Sequence, residues 1–379
     1  METKLPKVGT TIFTVMSRLA NEHGAVNLGQ GFPDFETPLP LREALARAMR
    51  DGYNQYAPMS GIPELREQIA RKVLRYYGRE VDAETEVTVT SGATEAIFAA
   101  VACAVRAGDE VIVLDPCYDS YEPAITLAGG TAVHVPLTLP AFAVNWQRVR
   151  EAITPRTRMI MINSPHNPSG AILAEADLDA LAEIVERHGL LVVSDEVYEH
   201  IVYDGQPHRS LSRRPQLAAR SFVLSSFGKT WHCTGWKVGY CVAPKPLSAE
   251  FRKVHQYLTF CTFQPAQRAF AKVLEQHPEH ARDLSDFYQA KRDRFRGLLS
   301  GARFKLLDVH GGFFQLADYG AVSSQRDVDF CQRLVRENGV AAIPVSVFCE
   351  TPPDAHLIRF CFAKSDRTLQ AGAERLCRL

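Results

Sequence analysis

The chain has 379 residues, with 43 Lys and Arg against 43 Asp and Glu, and is 46% hydrophobic and 23% charged. That composition is ordinary for a globular protein, so disorder, collagen and coiled-coil readings are poor, and the length is enough for two domains with a substantial core. Zero formal net charge and no long basic or acidic block give no electrostatic reason to expect nucleic acid or an anionic membrane, which leaves a small molecule as the expected partner.

The 9 cysteines are odd in number and scattered, with no CxxC pair and no Cys/His metal spacing. Free thiols in a reducing cytoplasm fit best, and no metal is expected. No apolar run approaches the roughly 20 residues that span a bilayer, and residues 1–6 lack the apolar core of a signal peptide. The expectation is a soluble, cytoplasmic protein.

Residues 1–40, with Gly24, Gly29, Gly31, Pro33, Pro38 and Pro40, read as an irregular arm with little structure of its own. From residue 86 short β-branched runs alternate with longer helical stretches. Strands are predicted at 86–90, 110–114, 131–135, 158–162, 190–194, 222–225 and 237–242, and helices at 95–105, 119–127 and 175–187. Near-continuous apolar strands separated by helices predict an α/β fold, a mainly parallel central sheet covered by helices on both faces. After Pro246 the texture changes to long charged helices at 249–257, 265–276 and 279–299. Strands near 303–306, 313–317 and 357–362, a helix near 327–337 and a closing helix after Ser365 make a smaller α+β unit. The expected division is a large domain over 41–277 and a second unit built from 1–40 plus 278–379. No internal repeat interrupts this pattern.

In open parallel sheets ligands bind at the carboxyl ends of strands, and four such places carry chemistry. Thr90-Ser91-Gly92-Ala93-Thr94-Glu95 joins a strand to a helix through small residues, either an anion cradle at a positive helix N-terminus or an ordinary capped turn. It is neither GxGxxG nor a Walker A sequence, which disfavours dinucleotides and nucleoside triphosphates. Asn163-Ser164-Pro165-His166-Asn167-Pro168-Ser169-Gly170 is a rigid turn whose Asn167 amide either meets a ligand oxygen or makes a local Asx turn.

Ser194-Asp195-Glu196-Val197-Tyr198 ends the most apolar strand, so Asp195 needs a cationic or hydrogen-bonding partner. A protonated heterocyclic nitrogen would serve, with Tyr198 for a neighbouring phenolic oxygen; a helix cap or a structural ion pair would serve equally well. Ser225-Ser226-Phe227-Gly228-Lys229 places a lysine among apolar neighbours, where desolvation lowers an amine's pKa and makes it a Schiff-base nucleophile. Lys237, in Gly235-Trp236-Lys237-Val238-Gly239, is a second candidate that periodicity cannot separate from the first. An anion cradle, a buried carboxylate, a tyrosine, an asparagine and an apolar lysine together are what pyridoxal phosphate requires.

At these motifs the chain resembles the fold-type I, class I aminotransferases, and within them the methionine aminotransferases and the kynurenine/glutamine transaminases. The likeness runs from Asn27-Leu28-Gly29-Gln30-Gly31-Phe32-Pro33-Asp34-Phe35 to Leu357-Ile358-Arg359-Phe360-Cys361-Phe362-Ala363-Lys364. The resemblance implies pyridoxal 5'-phosphate as cofactor and a homodimer that converts an amino acid and a 2-oxo acid. It makes Lys229 the lysine that carries the cofactor, Asp195 the partner of the ring nitrogen, and Asn167 and Tyr198 the partners of the ring oxygen. Tyr118 would stack on the ring. Gly92, Ala93, Thr94, Ser226 and Lys237 would hold the phosphate, joined by Tyr56 of a second subunit.

By the same resemblance Arg359 would clamp the substrate α-carboxylate with Asn167 and the backbone of Gly31, and Phe13, Phe260 and Phe313 would surround the substrate side chain. Aromatic walls and no second cation for a distal carboxylate imply methionine or aromatic donors. Lys237 stands where many relatives carry arginine, which loses a bidentate fork. Gln315 puts an amide where an apolar residue is expected. Two alternatives share the resemblance: a β-lyase acting on cysteine conjugates, and a pyridoxal phosphate-binding transcriptional regulator. The latter is disfavoured because the chain has no basic recognition helix.

Overall fold

Regular structure begins inside the arm, in the computed structural model, which describes residues 2–353 and 355–379. Ile12–Glu22 is a helix whose cap, Thr11, accepts from the Thr14 N–H at 3.3 Å. It buries Met16 and Ala20, one turn apart, and Val26–Asn27 forms a short strand, β1. The expectation of an irregular arm with little structure of its own is therefore corrected. The Gly and Pro residues that suggested it begin only at Gly24, and the segment before them carries a helical apolar stripe. Leu39–Arg50 and Pro63–Tyr77 are further helices, each with proline in its first turn, where an N–H has no intrahelical partner to lose.

The large sheet contains β2 (Val87–Thr90), β3 (Glu110–Asp115), β4 (Thr131–Pro136), β5 (Thr157–Asn163), β6 (Leu191–Asp195), β7 (Ser221–Ser226) and β8 (Gly239–Val242). Its order is β2-β8-β7-β6-β5-β3-β4, parallel throughout except for β8, which runs against both neighbours. Alternate residues of β3 and β5 go to opposite faces. Val111, Val113, Met159 and Met161 pack in one cluster with Ala96, Val101 and Phe251, whereas Ile112, Ile160 and Ile162 pack in another with Leu178, Leu181 and Ile184. Helices thus cover both faces, which is why the central residues of these strands, 111–114 and 159–162, are continuously apolar.

Register fixes what meets at one edge. Asn163 lies opposite Asp195, Ser226 opposite Gly239, and Gly239 opposite Thr90, so the ends of β2, β5, β6 and β7 and the start of β8 share that edge. Among the boundaries that differ from expectation, three lie at the carboxyl edge of the sheet. The helix predicted from 95 starts at Ala93 with Gly92 as its N-cap at φ +83°, the one predicted from 119 starts at Tyr121, and the strand predicted from 237 starts at Gly239 because Lys237 takes φ +54°.

Past the large sheet, the chain adds β9 (Lys305–Leu306), β10 (Phe314–Asp318), β11 (Val340–Ala341), β12 (Ile343–Pro344) and β13 (Leu357–Cys361). An antiparallel sheet of order β12-β13-β10-β9 places Arg359 between Leu316 and Ile343, while β11 pairs in parallel with β1. Met16, Ala20 and Leu28 of the arm share one apolar cluster with Phe330, Leu334, Phe360 and Leu369. Gln315 is fully buried and paired: its Oε1 accepts from Arg296 Nη1 at 2.9 Å and its Nε2 donates to the Leu307 carbonyl at 2.7 Å. Among the described residues no helix is long and apolar enough to cross a membrane.

Candidate active site

A cavity of about 210 Å³ opens over the carboxyl edge of the large sheet. It is lined by Gly92, Ala93, Thr94, Tyr118, Asn167, Asp195, Tyr198, Ser226, Lys229 and Lys237 from that edge, by Phe13 and Gly31 from the arm, and by Arg359 from β13. One cavity therefore gathers residues far apart in sequence, because parallel register delivers successive strand ends to one place.

The anion cradle has a specific shape. Gly92 at φ +83° turns the chain from β2 into helix Ala93–Ala104, and a Cβ on it would lie 3.2 Å from both Cε and Nζ of Lys237. The ammonium thus sits beside the first turn of the helix, whose free N–H groups already favour negative charge. Gly239 lets β8 approach as closely: a Cβ there would meet the Ser225 carbonyl at 2.7 Å and the Ala93 nitrogen at 3.1 Å.

Lys229 lies in the short helix Phe227–Thr230 that follows β7. Its Nζ approaches the Gly31 carbonyl at 3.4 Å and stands 5.5 Å from the Tyr198 ring centre and 5.4 Å from that of Phe313. Burial pushes the ammonium down to about 8. Lys237, by contrast, lies by Gly92, and this geometry separates the two lysines that sequence spacing leaves equivalent.

Asp195 ends β6 fully buried. Burial pushes its carboxyl up to about 6, against the pull of hydrogen bonds from the Tyr121 hydroxyl at 2.8 Å and the Val197 N–H at 3.3 Å. Asn167 is set by its own N–H, which donates to Asn163 Oδ1 at 2.7 Å. The loop beneath it is pinned by His166, whose ring nitrogens lie 2.7 Å from Ser169 Oγ and 2.9 Å from the Pro116 carbonyl. Burial pushes this imidazole down to about 4, so it is a neutral strut.

Arg359 is almost fully buried in a β-strand of apolar neighbours. Nη1 donates to Asn167 Oδ1 at 2.7 Å and Nη2 to the Gly29 carbonyl at 3.0 Å, while Nε is buried without a partner among the described residues. The guanidinium lies 4.0 Å from the Phe314 ring centre and 5.2 Å from that of Phe13. Burial pushes it down to about 10, still cationic at neutral pH.

Three expected residues stand elsewhere. Phe313 is fully buried behind the site, edge-on to Tyr198 at 5.0 Å, and its neighbour Phe314 forms the cavity wall instead. Alternation along a strand presents only one of two adjacent phenylalanines to the site, and composition does not say which. Tyr56 and Phe260 do not line this chain's cavity. They are 80% and 45% exposed and meet each other edge-on at 5.2 Å. Gln30 and Thr234 line the cavity and Tyr121 bonds Asp195, and sequence reasoning assigns none of the three a place at the site. Gln30 lies inside the motif at 27–35 and Thr234 just before the motif at 235–239, whereas nothing in the sequence pairs Tyr121 with Asp195.

Residues 23–376 match the family model for aminotransferase class I and II. A methionine aminotransferase of Escherichia coli is 54% identical over 100% of this chain and 98% of its own. Kynurenine–oxoglutarate transaminase 1 of Homo sapiens is 34% identical over 95% and 93%. Among solved structures, an E. coli protein with methionine aminotransferase function superposes with a TM-score of 0.98 at 54% identity, covering 100% of this chain and 99% of that one. A Thermus thermophilus aspartate aminotransferase superposes at 0.90 and 33%, with the same coverage. With a match this long and a cavity lined by both a buried lysine and a buried carboxylate, the chain belongs to the class I and II aminotransferases and is itself an aminotransferase.

Proposed function

We propose that the chain holds pyridoxal 5'-phosphate at the carboxyl edge of the large sheet. There it moves the α-amino group of methionine, and of aromatic or other neutral amino acids, to a 2-oxo acid in two half-reactions. The observation that carries this reading is the convergence of Lys229, Asp195, the Gly92–Lys237 cradle and Arg359 on one small cavity. The cradle suits a phosphate: Gly92 leaves open the space that any side chain would fill, the helix start supplies N–H donors, and Ser226 and Lys237 add a hydroxyl and a cation. Asp195 suits a ring nitrogen, since a carboxylate this buried gains from a cation brought against it.

When bound, the cofactor supplies a conjugated ring that accepts the electron pair left behind as the α-proton departs. This chain's residues do the rest. Lys229 Nζ, with its proton affinity lowered by burial, would hold the cofactor covalently until the substrate amine displaces it, and the freed amine would then take the α-proton and return it on the other side of the transfer. Asp195 holds a proton on the ring nitrogen, and Asn167 and Tyr198 donate toward the ring oxygen. Tyr118 covers the ring face. Arg359 presents its guanidinium to the α-carboxylate, and its unpartnered Nε is a donor that such a group satisfies.

The neutral-substrate preference rests on Phe13 and Phe314 at the wall and on charge. Lys229, Lys237 and Arg359 are the cavity's cations among the described residues, and each already has a role, so none is left for a distal carboxylate. The methionine aminotransferase relative supports the same choice. A homodimer is part of the proposal, since exposed Tyr56 and Phe260 are aromatic surface that a second copy would bury, with Tyr56 then reaching the partner's phosphate and Phe260 its substrate. Residues 41–277 would form the cofactor-binding domain, and 1–40 plus 278–379 the unit that carries Arg359. Free cysteines throughout suit a cytoplasmic setting.

The test is a panel of donors and 2-oxo acids with the reconstituted enzyme. Methionine and phenylalanine should show higher kcat/KM than aspartate. Preference for aspartate would overturn the substrate assignment, and steady pyruvate release from cysteine conjugates without an acceptor would make the protein a β-lyase.

A further inference from the structure

Asp195 is held by a side chain that the proposed function leaves unused. Tyr121 opens helix Tyr121–Leu127, is buried, and donates its hydroxyl to Asp195 Oδ2 at 2.8 Å, while Oδ1 accepts the longer Val197 N–H at 3.3 Å. The main chain of Asp195 is fixed separately, since its carbonyl accepts from Asn163 Nδ2 at 2.8 Å and from the Ser164 N–H at 3.2 Å. The phenol therefore acts on the carboxylate itself. Burial and the adjacent carboxylate push the phenol well above its usual range, so it stays protonated and remains a donor. Its ring meets Tyr118 edge-on at 5.9 Å, which ties the support of Asp195 to the residue that lines the cavity.

We propose that Tyr121 is a positioning residue that lowers the proton affinity of Asp195, so that the proton shared by Asp195 and the cofactor's ring nitrogen stays on the nitrogen. This rests on the cofactor reading above. Two bases that share one proton divide it by relative basicity, and a hydrogen bond donated to the carboxylate stabilises its charged form. The other titratable groups acting on this carboxylate are Tyr118 from the preceding turn, Glu196 and Tyr198 from its own loop, and Lys229 from the helix after β7. Glu196 is turned away, bonded to Ser194 Oγ, the Leu211 N–H and His208. The positive charge of Lys229 favours the carboxylate only until that amine is joined to the cofactor. In the loaded enzyme the Tyr121 hydroxyl is then the side-chain donor that remains on Asp195 among the described residues.

The experiment compares the wild-type protein with Tyr121→Phe and with 3,5-difluorotyrosine at position 121, each reconstituted with pyridoxal 5'-phosphate. A ring nitrogen that loses its proton withdraws fewer electrons. The pH midpoint of the cofactor's visible absorption change should rise by about one unit in Tyr121→Phe, within the reach of one hydrogen bond to a charged group. Its kcat should fall about 10-fold with KM for methionine changed less than about 3-fold, and the deuterium isotope effect at the substrate Cα should grow. Difluorotyrosine, a stronger donor of the same shape, should move the midpoint the opposite way, and it decides the matter if Tyr121→Phe does not fold. An unchanged midpoint and isotope effect, with only a lower Tm, would reduce Tyr121 to packing. A wild-type protein that takes up no cofactor would instead overturn the functional reading and this role with it, whereas uptake with an unmoved midpoint overturns the role alone.

Discussion

The floor of the cavity and its outer wall are built in opposite ways. The floor is made of strand ends, namely Thr90 through Thr94 after β2, Asp195 at the end of β6, and Ser226 and Lys229 around the end of β7, and backbone ladders lock their relative positions. The wall is made of Phe13 on an arm helix and Phe314 and Arg359 on the small sheet, which reach the floor through side chains such as Arg359 to Asn167 and Lys229 to Gly31. Under the proposed function, positions fixed by sheet register are the ones that the cofactor chemistry needs. Under the same reading, positions carried by the arm and the small sheet are the ones that meet the substrate, Arg359 at the α-carboxylate common to all donors and Phe13 and Phe314 at the side chain that differs.

That contrast breaks most completely at Lys229. Lys229→Ala should lower kcat on the order of 10⁵-fold or more and abolish covalent attachment of pyridoxal phosphate, read by borohydride reduction and mass spectrometry. Lys237→Ala should keep the attachment and weaken cofactor affinity by about 10–100-fold, the loss of one charge-assisted contact. The reverse pattern would exchange the two lysines. The attachment rate should itself depend on pH in a definite sense. Only the neutral amine attacks, so a Lys229 lowered to about 8 makes the rate rise as pH rises toward 8 and level off above it, a midpoint that stopped-flow absorbance can locate.

Asp195 sharpens the comparison because the floor costs stability when no cofactor is bound. Asp195→Asn keeps the shape but removes the charge, and turnover should fall by about 10²–10³-fold. In the cofactor-free protein the sign is opposite. A carboxyl raised from about 3.9 in the unfolded chain to about 6 in the fold means that the native state binds more protons between those values, so stability falls as pH rises through that window. The asparagine variant should gain up to about 2–3 kcal/mol in urea unfolding at pH 7 and nothing at pH 4. A variant less stable than the wild type at pH 7 would contradict the buried, uncompensated carboxylate.

How far the sequence could be read follows the same division. The strand-end motifs are legible because apolar runs mark strands and small or polar residues mark the turns after them, so Gly92, Asn167, Asp195 and Lys229 stand out in the sequence itself. Spacing alone leaves Lys229 and Lys237 equivalent; the resemblance assigns them different roles, and in the structure the left-handed turn at Lys237 and its approach to Gly92 set it apart from Lys229. The arm helix was hidden by the Gly and Pro residues just beyond it. Phe313 is what the resemblance implies, and two adjacent aromatics carry no record of which one faces in. Tyr121 was invisible because its partner, Asp195, is brought to it by β3 and β6 lying on either side of β5.

The smallest effect tests the wall alone. Phe13 lines the cavity without a place in the sheet ladders, and its ring lies 5.2 Å from the Arg359 guanidinium and 5.8 Å from the Phe348 ring. Phe13→Leu keeps an apolar side chain there but removes the aromatic face, so the cofactor floor should be untouched. A thioether loses a sulfur–aromatic contact of about 0.3–1.5 kcal/mol, which corresponds to about 2- to 10-fold in kcat/KM for methionine. Alanine as donor has no side chain long enough to feel the change and serves as the internal control. The ratio of kcat/KM for methionine over alanine should fall by that factor, while the cofactor spectrum and the borohydride-trapped lysine stay as in the wild type. An equal loss for both donors would mean that Phe13 acts by steadying Arg359 on the α-carboxylate, and the separation of floor from wall would then fail at this residue.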